Sequence, residues 1–185
     1  MKELSLNVLD IVENSVKAKA DLIQIVIEEN DETLTLTVTD NGCGMKEEIL
    51  RGVIDPFYTT RTTRKVGMGI PLLKLAAEQT GGKVSITSRH ESEYPDSHGT
   101  VISALFYKRH IDFTPMGDIV STITTLIQGS PEIDFTFHHT SPDFSVELDT
   151  RQLRDILGDE IPLSSPEILR WIAQYLDEQY KNNKQ

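Results

Sequence analysis

An α/β fold is what this sequence predicts, and three observations carry that reading. An amphipathic helical stretch opens the chain, and stretches of alternating apolar and polar residues follow it in pairs. A similar helix-then-hairpin pattern restarts after Arg109. Three motifs stand in order near the start: ENSVKAKA at 13–20, DNGCGM at 40–45 and GMGI at 67–70.

Each element follows from its local pattern. In residues 3–18, Leu4, Val8, Ile11, Val12 and Ser15 recur at spacings of three and four, which predicts a helix with one apolar stripe. Residues 22–29 and 33–39 predict a hairpin around Asn30-Asp31-Glu32, because Leu34, Leu36 and Val38 alternate with Thr33, Thr35, Thr37 and Thr39. A short helix is expected over 46–53, ended by Pro56, and residues 57–69 read as a mobile loop rich in Thr, Arg and Gly. Pro71 suits a first helical turn, so 71–79 predicts a helix closed by Gly81-Gly82. Strands follow at 83–88 and 100–107. Beyond Arg109 the expectation is a helix at 116–128, a hairpin at 132–139 and 143–148, a short helix at 150–157, and a final helix opened by Ser165-Pro166-Glu167. The chain is therefore divided at 109, with a small acidic α+β region at 110–185.

Bulk properties narrow the function. Net charge is −11, with 13 basic and 16 acidic side chains in residues 1–109 and 5 and 13 in residues 110–185. That balance argues against binding nucleic acid or an anionic membrane, since phosphate contacts need basic surface. One cysteine forbids an intrachain disulfide and fits a reducing compartment. No apolar run approaches the ~18 residues of a membrane span, and the N-terminus lacks the apolar core of a secretory signal. A cytoplasmic protein is expected.

The motifs point to an adenine-nucleotide pocket built without a Walker loop. Asp10, Asn14 and Lys17 stand at i, i+4 and i+7, on one side of the first helix. Alone, such a stripe is more often a solvated polar face. Beside the other motifs, Asn14 offers the hard oxygen that suits a magnesium ion shared with phosphates and waters. Lys17 could meet a phosphate as a point charge, and Asp10 could take a proton from an attacking water. Asp40 leaves a strand into Gly42 and Gly44, a common turn composition that would also let backbone approach a flat base. Its carboxylate could accept from the adenine amine, with Met45 as a soft apolar wall. Gly67, Met68 and Gly69 precede a helix, whose free N–H groups favour anions, and Arg61, Arg64 and Lys65 place cations in the same loop. Thr100 could bond the Asp40 carboxylate or a water beside the base. Cys43 and the five histidines show no catalytic or metal-binding spacing.

The set resembles the GHKL superfamily, the Bergerat-fold or histidine-kinase-like ATPases: gyrase B subunits, heat-shock chaperones, histidine kinases and MutL proteins. Asn14 with its flanks resembles the N box, Asp40 to Gly44 the first glycine box, Asp55-Pro56-Phe57 the F box, and Gly67 to Gly69 the second glycine box. Gly99-Thr100 resembles the late Gly-Thr. The resemblance spans residues 4–107 and implies a two-layer α/β sandwich, helices on one face of a mixed sheet, with ATP and Mg2+ as ligands under a lid. It makes Asn14 the metal ligand and Asp40 the adenine reader, and adds Ala18 and Thr60 to the nucleotide contacts. Lys17 and the DPFYTT stretch are kinase-like.

Three features depart from the pattern. Asp10 stands where the hydrolytic branch usually has Glu, and Pro71 replaces a glycine common in kinases. Only thirteen residues precede Asn14, which leaves no room for a phosphoacceptor hairpin. The resemblance therefore implies a trans-acting protein kinase with its phosphoacceptor on a separate protein partner. An ATP-driven switch or ATPase, and a nucleotide-sensing adaptor without turnover, are the alternatives. The sequence leaves the oligomeric state open, a dimer included.

Overall fold

The computed structural model describes residues 3–54, 68–158 and 160–182. In chain order the elements are α1 (Leu4–Lys17), β1 (Leu22–Glu29), β2 (Thr33–Asp40), α2 (Glu47–Ile54), α3 (Gly69–Gln79), β3 (Lys83–Arg89), β4 (Gly99–Tyr107), α4 (Ile119–Gly129), β5 (Asp134–Thr140), β6 (Ser145–Asp149), α5 (Thr150–Leu157) and α6 (Pro166–Asn182).

The opening helix forms as its periodicity requires. Leu4, Val8, Ile11 and Val12 are fully buried, so one stripe of α1 faces inward. Asn30 builds the first hairpin turn: its Oδ1 accepts from the N–H groups of Glu32 and Thr33, each at 2.8 Å. Helix α4 starts at Ile119, later than its periodicity suggests, because Asp118 caps it. The Asp118 Oδ1 accepts from the Ser121 N–H at 2.9 Å. Strand β5 likewise starts late, at Asp134, because Ile133 is still held in a turn by the carbonyl of Ser130.

The six strands of the described residues form one mixed sheet, ordered β3-β4-β2-β1-β5-β6. Strand β1 pairs with β5 in parallel, and the other pairings are antiparallel. Helices α3, α1, α4 and α6 pack side by side, α1 touching both α3 and α4, and α4 touching α6. Under them lie Ile25, Leu36, Phe106, Phe135 and Phe137, at most 2% exposed. The opposite face is polar, with Thr37 and Ser103 bonded across β2 and β4 at 3.0 Å.

The pattern breaks at Arg109, but the sheet and core run across that point. Strand β5 sits in register with β1, Ile25 opposite Phe137. Each buried Phe there contributes about 1.5–3 kcal/mol by leaving water. At the far edge, α6 covers part of β6: Gln179 donates to the Glu147 carbonyl at 2.9 Å and accepts from the Glu147 N–H at 3.0 Å. Among the described residues no helix is long and apolar enough to cross a membrane.

Candidate nucleotide site

Strand register assembles the site. Asp40 lies opposite Thr100, and Thr100 lies opposite Ser88, so three polar side chains form a row across β2, β4 and β3 at one end of the sheet. Asp40 is held twice. Ser15 of α1 donates to its Oδ2 at 2.6 Å, and the Gly42 N–H donates to its Oδ1 at 2.9 Å. Two fixed donors leave the carboxylate oriented, with lone pairs to spare.

Thr100 makes no hydrogen bond to Asp40, the first of the two roles that the sequence offered it, but it lines the same cleft. Its hydroxyl lies 2.8 Å from Ser88 Oγ, which also accepts from the Met45 N–H at 2.8 Å and lies 3.2 Å from the Gly99 carbonyl. Ser15, one turn beyond Ile11 on α1, is the hydroxyl that bonds Asp40.

The turn after Asp40 needs its glycines. Gly44 has φ +69, and a Cβ there would sit 1.9 Å from the Arg89 carbonyl oxygen. A Cβ on Gly42 would come within 2.8 Å of Ala18 Cβ. The Cys43 N–H donates to the Ala18 carbonyl at 2.8 Å, and His98 Nδ1 lies 2.6 Å from the Gly42 carbonyl oxygen. The turn is thereby closed onto the C-terminal end of α1.

Together these elements enclose a cleft of about 140 Å³. Ile11, Ala18, Met45, Val53, Ile70 and Ile102 give it apolar walls, while Asn14, Ser15, Asp40 and Thr100 supply polar groups. An apolar slot with few convergent polar groups is the usual form of a small-molecule site. Asn14 stands out, because its Nδ2 is buried without a hydrogen-bond partner among the described residues. Buried amides in folded proteins are normally satisfied, so an unmade bond here marks a place where a ligand can complete the set.

The other predicted residues are less uniform. Asp10 is half-buried and packs against Gly69 at the start of α3. Lys17 faces solvent, 3.6 Å from the Glu13 carboxylate, and does not line the cleft. Met68 is exposed, just before α3. Thr60, Lys65 and Gly67 lie outside the described residues, as do Asp55-Pro56-Phe57, Arg61 and Arg64. Sequence reasoning missed Ser15 and Ser88. A hydroxyl on a buried helical stripe was the signal for the first, while the second ends an expected strand with no local signal of its own. Among the described residues, no three His, Cys, Asp or Glu side chains group to hold a metal.

Residues 2–110 match the family of histidine kinase-, DNA gyrase B- and HSP90-like ATPases. The chain belongs to this family. As a histidine-kinase-like ATPase domain it binds ATP, and the cleft between Asn14 and Asp40 is its candidate nucleotide site. Curated relatives of this ATPase domain include the sensor histidine kinase YvrG of Bacillus subtilis, 31% identical over 102 residues, 52% of this chain and 17% of that protein. The tetrathionate sensor histidine kinase TtrS of Salmonella typhimurium is 31% identical over 97 residues, 52% of this chain and 16% of that protein. The chain thus aligns with less than a fifth of the length of either. Among solved structures, the MutL ATPase domain of Aquifex aeolicus complexed with ADP shares the fold. Its TM-score is 0.55 at 14% identity, covering 94% of this chain and 88% of that one.

Proposed function

We propose that the chain binds Mg-ATP in the α1–β2 cleft and transfers the γ-phosphoryl group to a side chain on a separate protein. The observation that carries this reading is the pairing of a fixed Asp40 carboxylate with the unsatisfied Asn14 amide in one apolar cleft. Asp40 would accept from the adenine amine, and the flat base would lie against Met45 and the backbone of Gly42 and Gly44. The unpartnered Asn14 Nδ2 would donate to a phosphate oxygen, and its side-chain oxygen would be the protein ligand of a magnesium ion, which typically keeps several waters and takes few protein ligands. Thr60, Lys65, Gly67, Met68 and Gly69 are proposed as phosphate contacts. Bound ATP supplies the phosphoryl group: its bond to the β–γ bridging oxygen breaks, a bond to the acceptor side chain forms, and ADP leaves. The relatives named as sensor histidine kinases support the transfer reading.

A second reading, hydrolysis that drives a conformational switch, draws on Asp10. That carboxylate stands one helical turn before Asn14 and against α3, where it could take a proton from water.

Single-turnover incubation with magnesium and γ-labelled ATP tests both, with Asp40→Asn as control. Label on protein, lost in the control, supports transfer. Label released as phosphate, and retained as ATP in Asp10→Asn, supports hydrolysis. Absence of wild-type binding to a fluorescent ATP analogue would sink the cleft assignment itself.

A further inference from the structure

On the far side of the molecule from the nucleotide cleft, α5 and α6 flank a second groove. It has two continuous parts of about 210 and 420 Å³, joined through Leu153, Ile156 and Trp171. The apolar side chains are unusually uncovered: Ile156 is 81% exposed and Trp171 48%. Tyr175 stacks on Trp171 with ring centroids 5.0 Å apart and planes 9° apart, which makes a flat aromatic floor. A contiguous apolar patch of this kind marks an interaction surface rather than scattered surface residues.

Two observations define the occupant. The first is charge. Among the described residues the groove's titratable lining is Glu147, Asp149, Glu167 and His138, which lies 3.8 Å from Glu147, and no Lys or Arg lines it. Asp149 is already paired with Arg151 at 2.7 Å, which leaves Glu167 and Glu147, the latter faced only by the His138 imidazole, as the acidic groups of the rim. The second is the edge strand. Gln179 already takes both the N–H and the C=O of Glu147, so β6 cannot accept an added strand there. Residues Glu167, Ile168, Trp171 and Tyr175 recur along α6 at helical spacing, which suits a helix lying in the groove.

We infer that the α5–α6 groove docks an amphipathic helix of a partner protein, apolar on one face and flanked by Lys or Arg. Acid-lined walls disfavour a second copy of this acidic chain and an anionic membrane alike.

Trp171 is the chain's single tryptophan and reports directly on the groove. The experiment titrates the full chain with an amphipathic Leu/Lys helix of about 18 residues, and with its Leu/Glu counterpart. The expected result is a saturable blue shift of Trp171 emission with the basic peptide alone, weakened by added salt. Ile156→Gln, an exposed position where the fold tolerates change, should weaken it by at least about tenfold, and Glu167→Gln by less. Circular dichroism confirms that both variants are folded. No shift, an equal shift with the acidic peptide, or an unchanged affinity in Ile156→Gln would each overturn the inference. So would emission that shifts with protein concentration alone, which would assign the groove to self-association. Nucleotide binding is measured in parallel and should be unchanged in Ile156→Gln.

Discussion

Ser15 on α1 donates to Asp40 at the end of β2 across 2.6 Å, and this bond joins the helix that carries Asn14 to the strand that carries the carboxylate. Ser15 is 2% exposed, so its hydroxyl has no water as an alternative, while Asp40 is part-buried. Hydrogen bonds to a charged acceptor in such surroundings contribute about 1.5–3 kcal/mol. Ser15→Ala is therefore expected to lower stability by about that amount, read as a fall in the urea midpoint at constant slope. Nucleotide affinity, followed with a fluorescent ATP analogue, should fall as well, because Asp40 loses one of the two donors that orient it. An unchanged midpoint would show that the bond adds nothing to the fold.

Gly44 offers a sharper test of how the turn is built. Its φ of +69 and the 1.9 Å approach of a Cβ to the Arg89 carbonyl oxygen leave no room for a side chain. Backbone strain of this kind costs about 1–3 kcal/mol, before the steric overlap is counted. Gly44→Ala should move the 42–45 turn away from β3 and break the Met45 N–H bond to Ser88. Expected readouts are a lower melting temperature and loss of nucleotide binding. Gly129→Ala, where a Cβ meets nothing within 4 Å, serves as the neutral comparison.

These two sites also show what the sequence could and could not convey. Period-two alternation located β2 as residues 33–39, one short of its Thr33–Asp40 span, because pairing in a half-buried strand is written into every second residue. The helix expected at 150–157 coincides with α5, which Asp149 caps and Gly158 follows. Asp40, Gly42, Gly44 and Asn14 stood out because turns and polar stripes have local signatures. What a one-dimensional pattern lacks is register between distant strands. Ser88 reaches Met45, and Ser15 reaches Asp40, only through pairings set by the whole sheet. The parallel pairing of β1 with β5 was invisible for that reason, so the break at Arg109 read as a boundary while the core runs across it.

Asn7 poses a stability question that ligand binding does not answer. It is fully buried on α1, and neither end of its amide has a hydrogen-bond partner among the described residues. Leaving such groups unmade costs about 1–3 kcal/mol, and an apolar group of the same shape removes that cost. Leu is close to Asn in shape. Asn7→Leu is expected to raise the urea midpoint by an equivalent of about 1–2 kcal/mol. A destabilised variant would mean that the amide has a partner in the folded chain.

A buried polar chain ties the C-terminal helix to the first hairpin, and it sets the response to pH. His139 on β5 lies 2.9 Å from Glu29 of β1 through Nε2 and 2.7 Å from the Tyr180 hydroxyl of α6 through Nδ1. Lys108, following β4, meets the other Glu29 oxygen at 2.5 Å, and Phe144 packs on the imidazole edge-on at 4.9 Å. Burial pushes His139 below its ordinary value of 6.5, against the opposing pull of Glu29, so the ring is neutral. Burial would raise Glu29, but its bonds to Lys108 and His139 outweigh that and hold it below 4.5. Burial, aided by the Glu29 charge, raises Tyr180 above 10. The neutral ring therefore donates from Nε2 to Glu29 and accepts at Nδ1 from Tyr180. The unfolded chain binds a proton at His139 more readily than the folded one, so this contribution is complete above pH 6.5 and is lost as pH falls below it. Glu29 adds a further loss below 4.5, and Tyr180 a loss as pH rises past 10. Stability should thus be level between about pH 7 and 9.5 and decline on both sides. In His139→Gln the decline that begins as pH falls below 6.5 should shrink, while the losses below 4.5 and above 10 persist. Urea midpoints measured across that range decide it. An acid slope that is the same in His139→Gln would remove the imidazole from the account.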